Sequence, residues 1–165
     1  MINSSDEKSP LIVRLATQDD ALDILRWRND ALAREMSRNS DIIEVAHHQT
    51  WFNQALKDTD RLVLIGSFGN NKIGMVRFDK LSPNQWEINI VLAPEARGQG
   101  FGKQLTNMAL QHFISKYPDV LLLAEIKKRN VASLKLFESV GFVNKSNESE
   151  PIAKCILYPN VKDTK

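Results

Sequence analysis

The chain has 165 residues, 42% apolar and 25% charged, a balance that suits one domain with a full core and excludes an intrinsically disordered protein. Its 22 basic residues against 20 acidic ones leave a net charge of +2, which gives no footing for a nucleic-acid or membrane-surface partner, so neither is expected. The single cysteine, Cys155, excludes an internal disulfide and fits a reducing compartment.

Residues 1–10 are polar and carry Asp6, Glu7 and Lys8, unlike the basic-then-apolar pattern of a signal peptide, and read as a loose leader. No apolar run is long enough to cross a bilayer, so a cytoplasmic location is expected. Leu11-Ile12-Val13-Arg14-Leu15 is a first short strand. Thr17 then suits an N-cap, with Asp19 and Asp20 in the first turn and Ala21, Ile24, Leu25 and Arg28 on one helical stripe ending near Asn29. Arg34 to Glu44 has no clean period and is expected to loop over one face. His48, Trp51, Phe52, Ala55 and Leu56 recur at helical spacing and give a second helix.

Leu62–Gly66 and Lys72–Phe78 read as strands of a hairpin with its tip at Gly69-Asn70-Asn71. After a turn at Ser82-Pro83-Asn84, residues 85–92 form a strand with Trp86, Ile88 and Ile90 on one face and Glu87, Asn89 and Val91 on the other. A helix opens at Phe101 and runs to about Lys116, where Pro118 stops it. Val120–Ala124 is an apolar strand that completes a parallel strand-helix-strand unit. A last helix covers about Asn130–Val140 with Gly141 as its cap, and two final strands follow at Phe142-Val143 and Ile152–Tyr158. A single domain over 11–160 and a short tail at 161–165 are expected. Cys155 lies in an apolar run and suits packing, and no metal site is expected.

The stretch with the most chemistry is Arg97-Gly98-Gln99-Gly100-Phe101-Gly102-Lys103. Glycines at 98, 100 and 102 leave backbone N–H groups bare, and the helix that follows has no acid in its first turn to occupy its positive end. A phosphate or pyrophosphate fits there. The spacing matches neither the dinucleotide fingerprint nor the ATP loop.

Arg-x-x-Gly-x-Gly, preceded by Pro94 and an apolar strand, resembles the acyl-CoA-binding motif of the GNAT superfamily of N-acetyltransferases. Asn130-Val131-Ala132-Ser133-Leu134-Lys135-Leu136-Phe137-Glu138-Ser139-Val140-Gly141-Phe142 is similar to a second motif of that family. The resemblance implies the GNAT acyl-CoA N-acyltransferase fold, a mixed α/β sheet of about seven strands flanked by about four helices. It implies acetyl-CoA as donor, held by Val91, Leu92, residues Arg97, Gly98, Gln99, Gly100, Phe101, Gly102 and Lys103, and by Asn130 and Ser133. The strand carrying Val91 and Leu92 would splay from its parallel neighbour to admit the pantetheine arm. Glu87 is the implied base, and a backbone N–H near Leu92 the implied oxyanion donor. Phe137 stands where many relatives carry a proton-donating tyrosine, which leaves water, Tyr158 or no donor.

The N-terminal half, with Trp27-Arg28-Asn29, Arg34, Met36, His48, Trp51 and Phe52, looks like that of bacterial nucleotide-sugar N-acetyltransferases acting on a UDP-linked 4-amino sugar in pseudaminic acid biosynthesis. That likeness implies that Trp27, Arg28, Asn29, His48 and Trp51 bind a small-molecule amine, aromatics covering base or sugar and arginine pairing with phosphate. Two alternatives stay open: a ribosomal-protein or peptide N-terminal acetyltransferase, and a non-catalytic acyl-CoA-binding module. A homodimer is also compatible with the sequence.

Overall fold

The computed structural model describes residues 10–159; most of the expected leader and all of the tail at 161–165 lie outside the described residues. In chain order, β1 (Leu11–Leu15) leads into α1 (Ala21–Asn29), α2 (Ala31–Met36) and α3 (Val45–Ala55). Then come β2 (Arg61–Phe68), β3 (Asn71–Ser82), β4 (Gln85–Leu92), α4 (Phe101–Lys116), β5 (Leu121–Lys127), α5 (Val131–Ser139), β6 (Val143–Asn144) and β7 (Ile152–Leu157). The strands make one seven-stranded sheet in the order β1-β2-β3-β4-β5-β7-β6. Every neighbouring pair is antiparallel except β4 and β5, which run parallel because α4 carries the chain back between them.

The expected alternation in β4 holds. Trp86 and Ile88 are buried on the α4 face, where Phe113 stacks on Phe78 at 4.3 Å and meets the edge of Trp86 at 5.2 Å. Leu105, Ala109 and Phe113 complete the buried stripe of α4. Burying each large side chain of this kind contributes about 1.5–3 kcal/mol, so this layer holds the crossover helix to the sheet. The opposite face of β3 and β4 carries Arg77, Asp79, Glu87 and Asn89, paired across the two strands as Arg77 with Asn89 and Asp79 with Glu87. A polar floor is thus built into the sheet beneath the N-terminal helices.

Several elements differ from expectation: β2 runs on to Phe68 and β3 to Ser82, past their expected ends at Gly66 and Phe78, and five helices stand where about four were implied. The stretch expected to loop from Arg34 begins inside a short helix, α2, nucleated by the Asp30 carboxylate accepting from Ala33 N–H at 3.1 Å. Six residues are too few for a period to be visible. β5 runs on past Ala124 to Lys127, because Glu125 and Lys127 pair with Lys154 and Ile152 of β7. Charged residues at its end hide the strand from an apolar scan.

The entry to α1 is tied to the sheet by Asp20, which is 0% exposed. Its carboxylate takes two bonds from Arg14, both 2.8 Å, one from the Thr17 N–H at 2.8 Å and one from Lys72 at 2.8 Å. Burial alone would raise its pKa, but the hydrogen bonds from Arg14, Lys72 and Thr17 outweigh it and hold the carboxyl well below its usual value of 3.8. Its stabilising effect is therefore full above about pH 4 and fades as pH falls toward the lowered value. Asp20→Asn is expected to cost about 2–4 kcal/mol in urea unfolding at pH 7, since it leaves two cations facing a neutral amide, and less below about pH 4. A variant as stable as the parent at pH 7 would show that the cluster holds nothing together.

Candidate active site

The bare turn has the backbone its glycines permit. Gly98 and Gly100 have φ of +73° and +81°, and a Cβ built on either would meet nothing within 4 Å. Among the described residues no side chain caps α4 and no acid stands in its first turn. Its first N–H groups therefore point beside open space that only a side chain or a ligand would fill. The flanking side chains serve elsewhere. Arg97 bonds Asp30 at 2.7 Å and holds that carboxyl below its usual range, while Gln99 Nε2 donates to the Glu95 carbonyl at 2.9 Å. Phe101 is buried against Phe68, with ring centres 5.1 Å apart, and Lys103 is exposed. Of the residues expected to hold a donor here, the glycines and the backbone border the open space, and the Arg97, Gln99 and Phe101 side chains brace the turn around it.

β4 and β5 pair only at Gln85–Leu121, Trp86–Leu122 and Glu87–Leu123, and beyond Glu87 they separate. The Ala93 N–H bonds the Ile73 carbonyl of the β3 side at 2.9 Å. Antiparallel alternation then turns the N–H and C=O of Val91 toward β3 and those of Ile90 and Leu92 toward the gap. Leu92 thus offers an unpaired N–H to the gap, whereas Val91 spends its backbone on the sheet. Leu121 N–H bonds the Asn84 carbonyl at 2.9 Å, so Glu125 turns its backbone into the gap from the other side.

Glu87 sits at the vertex where the strands part, 6% exposed. Its Oε1 accepts from Arg38 at 2.5 Å and from Asn89 Nδ2 at 3.1 Å, leaving Oε2 without a partner among the described residues. Arg38 also donates to Glu125 at 3.1 Å, so one guanidinium spans the gap from β4 to β5. Lys127 and Arg129 reach the Glu35 carbonyl at 3.0 and 2.8 Å and fasten the end of α2 beside it. Neither Arg38 nor Glu125 stands out in the sequence: one lies in an aperiodic loop, the other past an apolar run.

The N-terminal half divides sharply. Trp27 is 0% exposed and belongs to the core, so its expected contact with an acceptor is corrected; a ring sealed from solvent has no face to offer. Asn29 spends its amide on both backbone groups of Ile43, at 2.9 and 2.8 Å, and pins the loop before α3. His48 is 2% exposed, stacked on Phe52, with Nε2 held 2.7 Å from the Ala21 carbonyl, and burial pushes its pKa down. Its ring therefore donates to that carbonyl as a neutral imidazole and ties α3 to α1.

Arg28 and Trp51 do meet. They line a cavity of about 230 Å³ together with Ile43, His47, His48 and Arg77. Asn130 caps α5 through the Ser133 N–H at 3.2 Å, which uses its Oδ1 and leaves its Nδ2. Phe137 is buried edge-on to Phe142. Tyr158 lies beside Ser82, Asn84 and Leu121, at the closed end of the strand pair, so it is not the missing donor. Cys155 is buried, and burial raises its thiol pKa, as a packing residue requires.

A family model described as the acetyltransferase (GNAT) domain matches residues 10–143. The chain belongs to the GNAT acetyltransferase family. GNAT enzymes take the acetyl group from acetyl-CoA, and the bare turn and the parted strands suit such a donor. A curated relative, an uncharacterised protein of Methanocaldococcus jannaschii, is 26% identical over 151 residues, which cover 87% of this chain. This GNAT chain spans 31% of that relative's length. The fold is shared with the spermidine N-acetyltransferase of Vibrio cholerae solved with CoA and spermine: TM-score 0.80, 18% identity, 90% of this chain and 95% of that one. It is also shared with a Salmonella typhimurium protein solved with its cofactor acetyl-CoA: TM-score 0.77, 17% identity, 95% and 98% coverage. A polyamine, spermine, is the amine in the Vibrio cholerae complex. No helix among the described residues is long and apolar enough to cross a membrane.

Proposed function

We propose that this chain moves an acetyl group from acetyl-CoA to a small primary amine, and that the amine is carried by a nucleotide-linked sugar. The observation that carries the reaction is the gap between β4 and β5, with Glu87 at its vertex, the Leu92 N–H on its wall and the bare turn after its open end. Acetyl-CoA, when bound, supplies the acetyl group as a thioester. An alkylammonium has no free lone pair, so a proton must leave before the nitrogen attacks a carbonyl. Glu87 Oε2 accepts that proton, directly or through one water, while Asn89 holds the other oxygen. The Leu92 N–H donates toward negative charge developing on a carbonyl oxygen. Phe137 has no proton to give, and no side chain is assigned to that role. The sugar reading is supported by Trp51 and Arg28 on one cavity, an aromatic face beside a phosphate-matching fork.

Release of free thiol from acetyl-CoA tests it, with UDP-4-amino sugars, spermidine and peptides with free N-termini as acceptors. Turnover is expected with the sugar nucleotides and not with peptides. The reverse result replaces the acceptor with a protein terminus. Tight CoA binding with no thiol released by any amine across a pH series makes the chain a binding module.

A further inference from the structure

Around the Trp51 ring stand three guanidiniums, those of Arg28, Arg61 and Arg77, with their central carbons 5.3, 5.5 and 5.3 Å from its centre. A single carboxylate answers them. Asp79 binds Arg61 Nε at 2.6 Å and Arg77 Nε at 2.8 Å, so among the described residues the terminal nitrogens of both arginines have no carboxylate partner. Arg28 has no ion pair among the described residues. Three positive charges against one negative, half-buried on one ring, repel each other unless an anion joins them. The strain shows in Arg28, whose pKa is pushed down to about 10 by burial and by the charges of Arg77 and Arg61, against the pull of Asp79. It stays protonated at neutral pH. The cavity beside it, lined also by Arg77, has a volume of about 230 Å³, which accommodates an oxyanion and the group that bears it.

We propose that the Arg28–Arg77–Trp51 cavity is the subsite for a phosphate group borne by the acceptor, which rests on the acetyltransferase reading above. Arg28 and the free end of Arg77 form a fork-lined wall that matches phosphate oxygens, with Arg61 adding charge from beside the same Trp51 ring. Arg77 is the cross-strand neighbour of Asn89, one strand over from the gap at Glu87. With strands about 4.8 Å apart, an amine in the gap and a phosphate on Arg77 are separated by roughly 7–10 Å. The acceptor is then an amine with an anion at that spacing, and a polyamine would meet like charge around Trp51.

The test uses the full chain saturated with CoA, so that the bare turn is filled, and inorganic phosphate as the probe. Arginine Nε–H resonances are followed by NMR. Phosphate is expected to shift Arg28 and Arg77 together, with Arg28→Gln weakening the phosphate affinity about tenfold and Arg28→Lys less. CoA affinity, measured first by calorimetry, is expected to be unchanged in both variants. Failure of CoA to bind the parent chain would defeat the acetyltransferase reading alone. Phosphate that shifts neither Arg28 nor Arg77, or binds Arg28→Gln as tightly as the parent, overturns the subsite. Arg28→Lys guards against a folding defect: if it keeps the parent's melting temperature and yet gains affinity, the fork geometry is wrong.

Discussion

Glu87→Gln is expected to lower kcat by about a hundredfold or more, the usual size of a general-base contribution, while the dissociation constant for CoA changes by less than about twofold. The amide is isosteric and keeps an acceptor for Asn89 Nδ2, so the strand stays in place; what is lost is the ability to take a proton and the charge that pairs with Arg38. The competing explanation is that Glu87 merely anchors Arg38, whose guanidinium bridges it to Glu125. Arg38→Gln separates the two. An anchor lost from either side has the same effect, so a structural role predicts equal damage in both variants. A base predicts the opposite signs, because removing Arg38 frees the Glu87 carboxylate and uncovers the gap for the incoming amine. Steady-state kinetics on both variants decide the matter, and a Glu87→Gln enzyme with the parent's kcat removes Glu87 from the chemistry.

The sequence made the sheet and the bare glycine turn legible because both rest on local rules. Alternation in 85–92 fixed which face carries Glu87, and the glycines at 98 and 100 announced backbone that only glycine adopts freely. What stayed hidden depends on contacts between distant residues. Arg38 lies 49 positions from Glu87 and 87 from Glu125, and no local pattern links them. Trp27 and Trp51 look alike as aromatics near arginines, yet one faces the core and the other faces three guanidiniums. His48 shows the same limit: a histidine at helical spacing beside Trp51 suits a ligand contact, and only the Ala21 carbonyl at 2.7 Å reveals a buried tie between helices. Arg61, Arg77 and Asp79 sit on neighbouring strands in a polar row under α3, and registering β2 against β3 was the step that sequence alone could not take.

Gly100→Val is expected to raise the dissociation constant for CoA about a hundredfold or more, while Gly102→Ala leaves it within about threefold. The two glycines are two residues apart and fail for different reasons. At φ +81°, Gly100 holds a left-handed conformation that costs a β-branched residue more than about 1–2 kcal/mol, and its side chain would project into the open space beside the first N–H groups of α4. Either the turn refolds and the N–H groups lose their common aim, or the side chain fills the place of the phosphates. Gly102 is buried in the helix itself, where a Cβ would meet the Leu92 and Leu136 side chains at 3.4–3.7 Å, ordinary packing distances. Alanine there also favours the helix by about 1 kcal/mol. Calorimetric titration of CoA into both variants, with melting temperatures as a check on folding, separates a backbone cradle from a glycine-rich loop of no consequence. If Gly100→Val binds CoA as the parent does, the phosphates lie elsewhere, and the chemistry assigned to Glu87 and Leu92 loses the anchor that would bring a thioester to them.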